Sequence, residues 1–338
     1  MPTESSRTIR KPSYFLISVS TRENLNLCIE YGLAGFPSGE NGAWTFCEIE
    51  EGDLVSFLYG ARAHNLYRVT KREAFRNAEA LPPWKLLTFQ ESGKSYSFPF
   101  RLQLQPVRAF SEPLVRAEFA YVAENLLLRG GYSKTHFQAD QTTLQSASQM
   151  GTPEDERPKT LGMGELNTFV PRFTRNKELL NTPEVTRFKE TILQSAIRNH
   201  LKSETNLQLF LNELELSQIA AADIEVLGEK AIPNGHIDIL LKRRAPLGSD
   251  LKIPIEVKTQ KAQPEHLDQL IGYTDELRGE CAMGVLLAHD FHKAVIASAP
   301  RTNVKLVRYE LAADLKGMAT FEEIHRGLTL HFSSTEPD

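Results

Sequence analysis

The sequence predicts an α/β protein, α+β overall, that folds as two domains in one chain. Its 338 residues exceed one average domain and suit two, each long enough to bury a core. Short strand-like runs separated by turns fill the N-terminal half, whereas strands and helices alternate in the C-terminal half. We therefore expect a mixed β-barrel with helices at residues 1–148, a linker at 149–180, and a mixed sheet flanked by helices at 181–338.

The composition is that of a cytoplasmic globular protein. Apolar residues make up 41 % and charged residues 24 % of the chain, and no segment approaches the roughly 20 apolar residues of a membrane helix. Cys28, Cys47 and Cys281 are odd in number and lack metal-site spacing, which indicates a reducing compartment. A net charge of −4 argues against a protein that coats nucleic acid nonspecifically. We expect no membrane association.

The N-terminal half begins with a strand and a helix. "YFLISVS", from Tyr14, alternates like a strand, and "TRENLNLCIEYG" has helical spacing with Thr21 as N-cap and Gly32 as stop. A later segment is helical up to Arg129 and resumes as a closing helix near Ala139. The other runs are short, rich in aromatic and β-branched residues, and spaced as in a small barrel: "AWTFCEI", "DLVSFLYG", "NLYRVTKREAF" and "SYSFPFRLQLQPVRAF".

The C-terminal half follows a polar segment with Gly and Pro residues, which we interpret as the linker. Thr182 and Pro183 form a favourable N-cap and N1 pair for a helix that continues through "EVTRFKETILQSAIRNHLKSE". A second helix is predicted at "PEHLDQLIGYTDELRG". Strands are predicted at "DIEVLGEKAI", "HIDILLKR", "KIPIEVKTQ", "AMGVLLAH", "AVIASA" and "VKLVRYEL". An α/β sheet with helices on both faces accounts for this alternation.

Three charged residues interrupt apolar strands in this half. Glu256 and Lys258 are two residues apart on one strand and so share a face, while Asp238 lies in the preceding apolar run. If the two strands form a hairpin, the three side chains meet at one end of the sheet. An isolated Glu-x-Lys is usually an edge-strand ion pair. Asp238 and the flanking apolar runs favour a functional site over such an ion pair, because buried charges require partners or a metal.

This set of residues suits metal-dependent cleavage of a phosphodiester. The carboxylates of Asp238 and Glu256, with the main-chain carbonyl of Val257, offer the oxygen ligands that Mg²⁺ prefers, and the ion polarises its bound water. Lys258 then orients or helps to deprotonate the attacking water and offsets charge on the phosphate. We expect Mg²⁺ as the cofactor.

"GHIDILL" followed by "IEVKTQ" resembles the core of the PD-(D/E)XK nucleases over about residues 181–310. Asp238 matches the motif aspartate and follows Ile237 where the literal pattern has proline, and Glu256 and Lys258 match the E-x-K. The resemblance implies a mixed sheet flanked by helices, Mg²⁺-dependent DNA cleavage, and catalytic roles for these three residues.

The same resemblance implies further residues of the site. In the family the first helix often supplies another carboxylate, and Glu190 of "FKETILQSAI" is a better match than Glu184. The helix after the E-x-K strand frequently carries a glutamine and an aromatic residue one turn later, which fits Gln269 and Tyr273. Gln260 is a second candidate glutamine.

The N-terminal half, over about residues 13–148, resembles the PUA-like superfamily in the branch of YTH and EVE domains. The resemblance rests on "YFLISVSTRENLNLCIEYGLAGFP", "GAWTF", "EEGDLVSFLYG" and "NLYRVTKREAF", and it implies a modified base bound in an aromatic pocket and swung out of the helix. Aromatic strand residues more often fill a barrel core, which is the alternative for Phe57 and Tyr59. The implied pocket residues are Trp44 and Trp84 as walls, Phe46, Phe57 and Tyr59 as further aromatic contacts, and Ser18 and Ser20 near the base.

Basic residues of this half are candidate contacts to the DNA backbone. A run of Arg and Lys is most often a solvated face, and that alternative stays open for each of them. The loop from Arg129 to Lys134, "RGGYSK", is a candidate for entering a groove. The other candidates are Arg62, Arg68, Lys71, Arg72 and Arg76.

Together these features predict a modification-dependent restriction endonuclease. Its N-terminal domain would flip and recognise a modified, methylated base in double-stranded DNA, and its C-terminal domain would cut nearby with Mg²⁺. Cleavage of both strands needs two active sites, so a homodimer is expected.

One alternative is a structure-specific or mismatch repair endonuclease with a non-reading DNA clamp, since the motifs also resemble archaeal mismatch and branched-DNA endonucleases. A non-enzymatic reader of modified RNA is a third, against which the intact Asp238, Glu256 and Lys258 argue.

Overall fold

A computed structural model of the chain describes residues 11–88, 93, 95–116, 119, 135–162, 166–182, 184–232 and 235–332. Within these ranges the protein has an α+β fold of mixed sheets and helices, as the sequence predicts. None of the described helices is long and apolar enough to cross a membrane. Arg129 and Lys134 lie outside the described residues, as does most of the helix predicted to end at Arg129.

The N-terminal half is a curled half-barrel with helices around it. Its described strands are β1 (Tyr14–Ser18), β2 (Leu33–Phe36), β3 (Leu54–Tyr59), β4 (Arg62–Ala74), β5 (Leu87–Thr88), β6 (Ser95–Tyr96), β7 (Phe100–Ala109), β8 (His136–Ala139) and β9 (Thr152–Pro153). Its described helices are α1 (Arg22–Tyr31), α2 (Glu40–Glu48) and α3 (Gln141–Gln149).

The main sheet of this half has the order β2-β7-β4-β3-β1-β8, with β9 beside β7. β1 and β3 are parallel, and their neighbours along the sheet pair in antiparallel fashion. The predicted caps of α1 are confirmed: Thr21 accepts a hydrogen bond from the Asn24 amide, and Gly32 ends the helix at a φ of 55°. The predicted closing helix is α3, which Asp140 caps through the Thr143 amide at 2.9 Å.

The C-terminal half contains a six-stranded mixed sheet in the order β12-β13-β14-β15-β16-β18 and a small sheet, β11-β10-β17. Its described strands are β10 (Arg172–Thr174), β11 (Val185–Arg187), β12 (Ile224–Ile232), β13 (Gly235–Arg243), β14 (Lys252–Lys258), β15 (Gly284–Ala288), β16 (Val304–Leu311), β17 (Ala319–Thr320) and β18 (Leu328–Phe332). Its described helices are α4 (Glu190–Leu201), α5 (Glu204–Glu213), α6 (Pro264–Leu277), α7 (Lys293–Ser298) and α8 (Phe321–Arg326).

Most predicted elements of this half are confirmed, including the β13–β14 hairpin and helix α6. "AVIASA" is wrong as a strand: it belongs to α7, whose first turn is capped by His292. Helix α4 begins at Glu190 and not after Thr182, because β11 intervenes and pairs in parallel with β10. The segment predicted as a linker contributes β9 to the first half and β10 to the second.

The N-terminal run "AWTFCEI" is also a helix, α2, and not the predicted strand. Its buried residues Ala43, Trp44 and Cys47 recur at helical spacing and form one face. That face packs on α4 of the other half, where the Trp44 indole N–H donates to Ser195 Oγ at 2.9 Å. The apolar core is therefore continuous between the two halves.

The edge of the six-stranded sheet is covered by the N-terminal half. β12 is an edge strand, and the Gln138 side chain of β8 donates to the Val226 carbonyl at 3.1 Å and accepts from the Gly228 amide at 3.0 Å. Nearby, the Lys242 ammonium lies 2.9 Å from Asp140 and 3.6 Å from Glu225. These contacts satisfy main-chain groups and charges that water would otherwise solvate.

A buried ion pair connects α2 to α4. Glu48 and Arg198 each have a side chain 1 % exposed, and the guanidinium Nε donates to Glu48 Oε1 at 3.0 Å. Burial alone would raise the Glu48 pKa, but Arg198 and then Lys202 outweigh it and lower that pKa to about 2. The Ser195 hydroxyl also donates to Glu48, so the pair extends to the Trp44 indole.

We predict that Arg198→Met lowers the free energy of unfolding by about 3–5 kcal/mol, because it leaves the Glu48 carboxylate buried and uncompensated. The double variant Glu48→Gln, Arg198→Met should lose clearly less than the sum of the two single variants. Urea unfolding at neutral pH measures all four proteins. Additive losses would mean that the two side chains do not stabilise each other.

Candidate active site

The predicted acidic residues meet where the β13–β14 hairpin separates. The paired residues of the hairpin run from Lys242 with Lys252 to Ile239 with Ile255, and Asp238 comes directly after them on β13. There its Oδ2 accepts a hydrogen bond from the Val257 amide at 2.8 Å. The Asp238 carboxylate thus accepts a hydrogen bond from a main-chain amide that lies beyond the last paired residues of the hairpin.

Lys258 joins β14 to helix α4. Its ammonium lies 2.9 Å from Glu256 Oε1 and 2.9 Å from Glu190 Oε1. Glu190 is the first residue of α4, and its Oε2 also accepts from the Thr259 amide at 3.3 Å. The structure therefore brings the predicted residues Asp238, Glu256, Lys258 and Glu190 together.

Glu256 is the most deeply buried of the acidic residues. Its side chain is 1 % exposed, its Oε1 lies 2.9 Å from the Lys258 ammonium, and within the described residues its Oε2 has no hydrogen-bond partner. Lys258 compensates the first of these oxygens, and the second is a buried acceptor that a bound cation would satisfy. The donor set fits a hard cation such as Mg²⁺, which takes carboxylate and carbonyl oxygens and retains several waters.

The site carries more negative than positive charge. Burial and then the Glu256 carboxylate raise the pKa of Asp238 well above its usual range, and burial also raises the pKa of Glu256 against the effect of Lys258. Burial alone would lower the Lys258 pKa, but Glu256, Asp238 and Glu190 outweigh it and raise that pKa. Among the described residues, no three Asp, Glu, His or Cys side chains converge closely enough to enclose a metal ion by themselves.

The residues of helix α6 lie at the edge of this cluster. Gln269 is exposed and donates to the Tyr273 hydroxyl at 2.6 Å. Burial raises the pKa of Tyr273, and the charges of Glu256 and Asp238 act in the same direction. The weaker candidate Glu184 is held elsewhere, in an ion pair with Arg76.

An open cleft of about 900 Å³ leads to Glu190. Basic side chains from three regions line it, and the predicted alternative Gln260 also lies there. These basic residues were not predicted from the sequence, although some of them flank motif residues directly, as in "RFKE" and "KTQK". They are Arg175, Arg187, Lys189 and Lys261, with His289 beside them.

A further acidic residue, Glu229 of β12, was also missed. Its charge acts on both Asp238 and Glu256, so it belongs to the same electrostatic cluster. In the sequence it is a charged residue inside the strand-like run "IEVLGEKAI". Whether Glu229 lies near the motif residues depends on strand order, which the sequence alone does not give.

The tryptophans predicted as walls of a base pocket are core residues. Trp44 is 1 % exposed and packs on His136 with ring centroids 4.5 Å apart, besides its bond to Ser195. Trp84 is 8 % exposed and packs on Phe98 and under the Arg101 guanidinium. The structure therefore corrects their placement, because neither indole presents an open face to a base.

The other predicted pocket residues differ in accessibility. Phe57 is fully buried, which matches the core alternative, whereas Phe46 and Tyr59 are half-buried. Ser18, at the end of β1, is half-buried and Ser20 is exposed.

The described basic residues predicted to contact DNA in the N-terminal half also differ in accessibility. Arg72 donates to the Phe46 and Ile49 carbonyls at 2.8 and 3.1 Å, so it caps the C-terminus of α2 and is not directed to solvent. The remaining ones are exposed, and some are already engaged: Arg62, Arg68 with the Gly52 carbonyl, Lys71 with Glu73, and Arg76 with Glu184.

Comparison with solved structures finds slight similarity to three nucleases. The chain is 20 % identical to EndoMS in its complex with double-stranded DNA (25 % of this chain and 35 % of that one, TM-score 0.22) and 18 % identical to a repair endonuclease from Pyrococcus abyssi (31 % and 45 %, TM-score 0.22). It is 10 % identical to the MspJI restriction endonuclease in complex with a 27-mer oligonucleotide (82 % and 68 %, TM-score 0.19). The matches thus span less than half the length of the first two proteins. No family model and no curated protein matches the sequence.

We predict that Asp238→Asn stabilises the metal-free protein at pH 8 more than at pH 5. A carboxyl whose pKa is raised by folding favours the folded state at low pH, and this advantage is lost as pH rises above the ordinary carboxyl range. Thermal unfolding in a chelating buffer measures the effect, with Glu265→Gln as a control that removes an exposed negative charge. If the Asp238→Asn protein is less stable than wild type at pH 8, the conclusion that this site carries excess negative charge is contradicted.

Proposed function

We propose that the protein is a Mg²⁺-dependent endonuclease that hydrolyses phosphodiester bonds of double-stranded DNA. The observation that carries this proposal is the convergence of Asp238, Glu256, Lys258 and Glu190 at the separated end of the β13–β14 hairpin. Two carboxylates, one ammonium and a nearby basic cleft are the groups that hydrolysis of a phosphodiester requires.

Asp238 and Glu256 would hold the magnesium ion, with the main-chain carbonyl of Val257 as a further oxygen ligand. The buried Glu256 Oε2, which has no hydrogen-bond partner among the described residues, supports this assignment. When bound, the ion would lower the pKa of a water molecule and stabilise charge on the phosphate. In the protein itself, the Asp238 carboxylate is held in place by the Val257 amide.

Lys258 would orient the attacking water. In the protein without metal, Glu256, Asp238 and Glu190 raise its pKa, and its contacts with Glu190 and Glu256 fix its position. A fixed ammonium can orient the attacking water and stabilise the negative charge that develops on the phosphate. Glu190 contributes by orienting Lys258.

The basic cleft would bind the DNA backbone. Arg175, Arg187, Lys189 and Lys261 line it next to Glu190, so a strand bound there would bring a phosphate to the acidic residues. The Arg175 guanidinium lies 5.1 Å from the centre of the Phe188 ring, which stiffens its position. Binding through this cleft depends on salt, because it releases counterions from the DNA.

We further propose that the N-terminal half recognises a modified, methylated base flipped from the duplex and that the enzyme acts as a homodimer, since two strands need two sites. The support is the sequence pattern of this half and the accessibility of Ser18 and Ser20 at the end of β1. The half-buried Phe46 and Tyr59 are better candidates for contact with the base than the buried tryptophans.

A second candidate is a structure-specific or mismatch endonuclease in which the N-terminal half clamps DNA without reading a base. The burial of Trp44 and Trp84 favours it, because a reading domain needs exposed aromatic faces. The catalytic residues are the same in both proposals.

We expect Asp238→Ala and Lys258→Ala each to reduce Mg²⁺-dependent cleavage of DNA at least about 100-fold, because each removes a group required for the chemical step. Gel-shift assays in calcium or chelator should find DNA binding retained. Asp268→Ala, which removes an exposed carboxylate of α6, is the matched control and should cut like wild type. If cleavage survives in both Asp238→Ala and Lys258→Ala, the active site does not lie at this hairpin.

The two candidate functions make different demands on the substrate. We expect a duplex carrying one of 5-methylcytosine, 5-hydroxymethylcytosine or N6-methyladenine to be cut about 10-fold or more faster than the same unmodified duplex, since a pocket distinguishes a methyl group by at least that factor. Tyr59→Ala should abolish the preference and leave the rate on plain DNA unchanged. Equal cutting of all four duplexes, with faster cutting of mismatched or branched DNA, would favour the clamp.

A further inference from the structure

Three parallel strands of the six-stranded sheet meet at the basic cleft, and one of them extends past the other two. The last paired residues are Lys258 of β14 with Ala288 of β15, and Ala288 with Arg308 of β16. Tyr309 comes next on β16, which continues to Leu311 because it pairs there with β18. The Tyr309 side chain therefore lies beyond the ends of β14 and β15.

This side chain crosses the space that follows the end of β15. Its ring packs beside the His289 imidazole, with ring centroids 6.4 Å apart, and its hydroxyl donates to the Thr259 carbonyl at 3.3 Å. Adjacent strands lie about 4.8 Å apart, so β14 and β16 are separated by about 10 Å. The hydroxyl of Tyr309 therefore links β16 to the residue directly after Lys258.

Thr259 is held from a second direction by the candidate active site. Its amide donates to Glu190 Oε2 at 3.3 Å, and Glu190 Oε1 lies 2.9 Å from the Lys258 ammonium. The main chain of Thr259 thus has its carbonyl on Tyr309 and its amide on Glu190. A shift of Thr259 would change the position of the carboxylate that contacts Lys258.

The same hydroxyl lies near a cation of the basic cleft. Burial raises the pKa of Tyr309, and the charge of Arg175 opposes that shift, so the guanidinium lies close to the hydroxyl. Arg175 is exposed, lines the cleft, and has its guanidinium 5.1 Å from the centre of the Phe188 ring. Tyr309 therefore lies between a side chain that can reach a DNA phosphate and the main chain next to Lys258.

Packing explains the ring of Tyr309 but not its hydroxyl. The residue is 3 % exposed, and its ring belongs to the apolar core. A phenylalanine would fill the same space, and burying a hydroxyl costs free energy unless the hydroxyl forms hydrogen bonds. The hydroxyl is directed to Thr259 and Arg175, which both line the cleft. It can therefore act on the positions of these two residues.

Resting on the function proposed above, we propose that Tyr309 is a positioning residue of the nuclease site. Its hydroxyl fixes Thr259, and through the Thr259 amide it fixes Glu190 beside Lys258. The same hydroxyl orients the Arg175 guanidinium toward a DNA strand in the cleft. Tyr309 itself contacts neither the phosphate nor the metal, and its hydroxyl serves both the binding of DNA and the chemical step.

The test compares Tyr309→Phe with the matched control Tyr14→Phe. Tyr14 is 2 % exposed and its hydroxyl donates to Ser56 Oγ at 2.8 Å in the N-terminal half, so each variant removes one buried hydroxyl and keeps the ring. The substrate is the duplex that wild type cuts fastest. We expect Tyr309→Phe to lower kcat about 10-fold with Mg²⁺ and to raise Kd about 3-fold or more with Ca²⁺. Tyr14→Phe should match wild type in both measurements.

Double variants show whether the hydroxyl acts through the proposed partners. Arg175→Ala combined with Tyr309→Phe should bind DNA no more weakly than Arg175→Ala alone, because the hydroxyl then has no guanidinium to orient. Glu190→Ala combined with Tyr309→Phe should have the kcat of Glu190→Ala alone, for the corresponding reason. A tyrosine that only supports the fold would add its loss to that of each partner variant.

The outcomes separate this inference from the proposed function, with all assays run at a temperature at which thermal unfolding shows every variant to be folded. If Tyr309→Phe has the kcat and Kd of wild type, or if its loss adds to that of either partner variant, the role of Tyr309 is overturned. The nuclease site still stands in that case, as long as wild type cuts DNA and Asp238→Ala does not. If wild type cuts none of the duplexes, both proposals fail. A loss that disappears in the Arg175→Ala and Glu190→Ala backgrounds supports the role of Tyr309.

Discussion

The buried ion pair between Glu48 and Arg198 ties the N-terminal half to helix α4, whose first residue, Glu190, belongs to the candidate active site. Each side chain is 1 % exposed, and charges so far from water are tolerated because each compensates the other. Helix α4, which carries Arg198, begins with Glu190, and Glu190 holds the Lys258 ammonium. The guanidinium also lies against Gly228, where any Cβ would come within 2.0 Å of it. The pair therefore lies in contact with both α4 and β12 and joins them to α2 of the N-terminal half.

The candidate active site is a cluster of charged residues in an otherwise apolar hairpin. Ile239 and Ile255, the last paired residues of β13 and β14, are fully buried, and the strands separate directly beyond them. A cluster of buried charges often stabilises a fold less than apolar side chains of the same volume. Asp238 and Glu256, held near one ammonium, thus give up stability at this position. In the function proposed above, a bound cation would account for that loss.

The sequence predicted those features that depend on neighbours along the chain. The alternation of β13 and β14 predicted the faces of Asp238, Glu256 and Lys258, and the two caps of α1 followed from single residues. Features that depend on distant partners were missed. Helix α2 has strand-forming residues, and its helical packing depends on Ser195, which lies 151 residues away from Trp44 in the chain. Predicting that acidic residues of β12 and β13 lie near one another requires the register of these strands. Predicting the basic cleft requires the tertiary fold.

In the function proposed above, the contacts of Trp44 bear on how recognition of a base would relate to cleavage. The indole N–H donates to Ser195, and Ser195 donates to Glu48, so a base that displaced the indole would leave buried polar groups unpaired at a cost of about 1–3 kcal/mol each. Such an event would loosen the ion pair and move α4 with Glu190. Contact through Phe46 or Tyr59 leaves this network intact. Recognition through these accessible residues would therefore select where the enzyme binds, whereas recognition through Trp44 would change the geometry of the site that cuts.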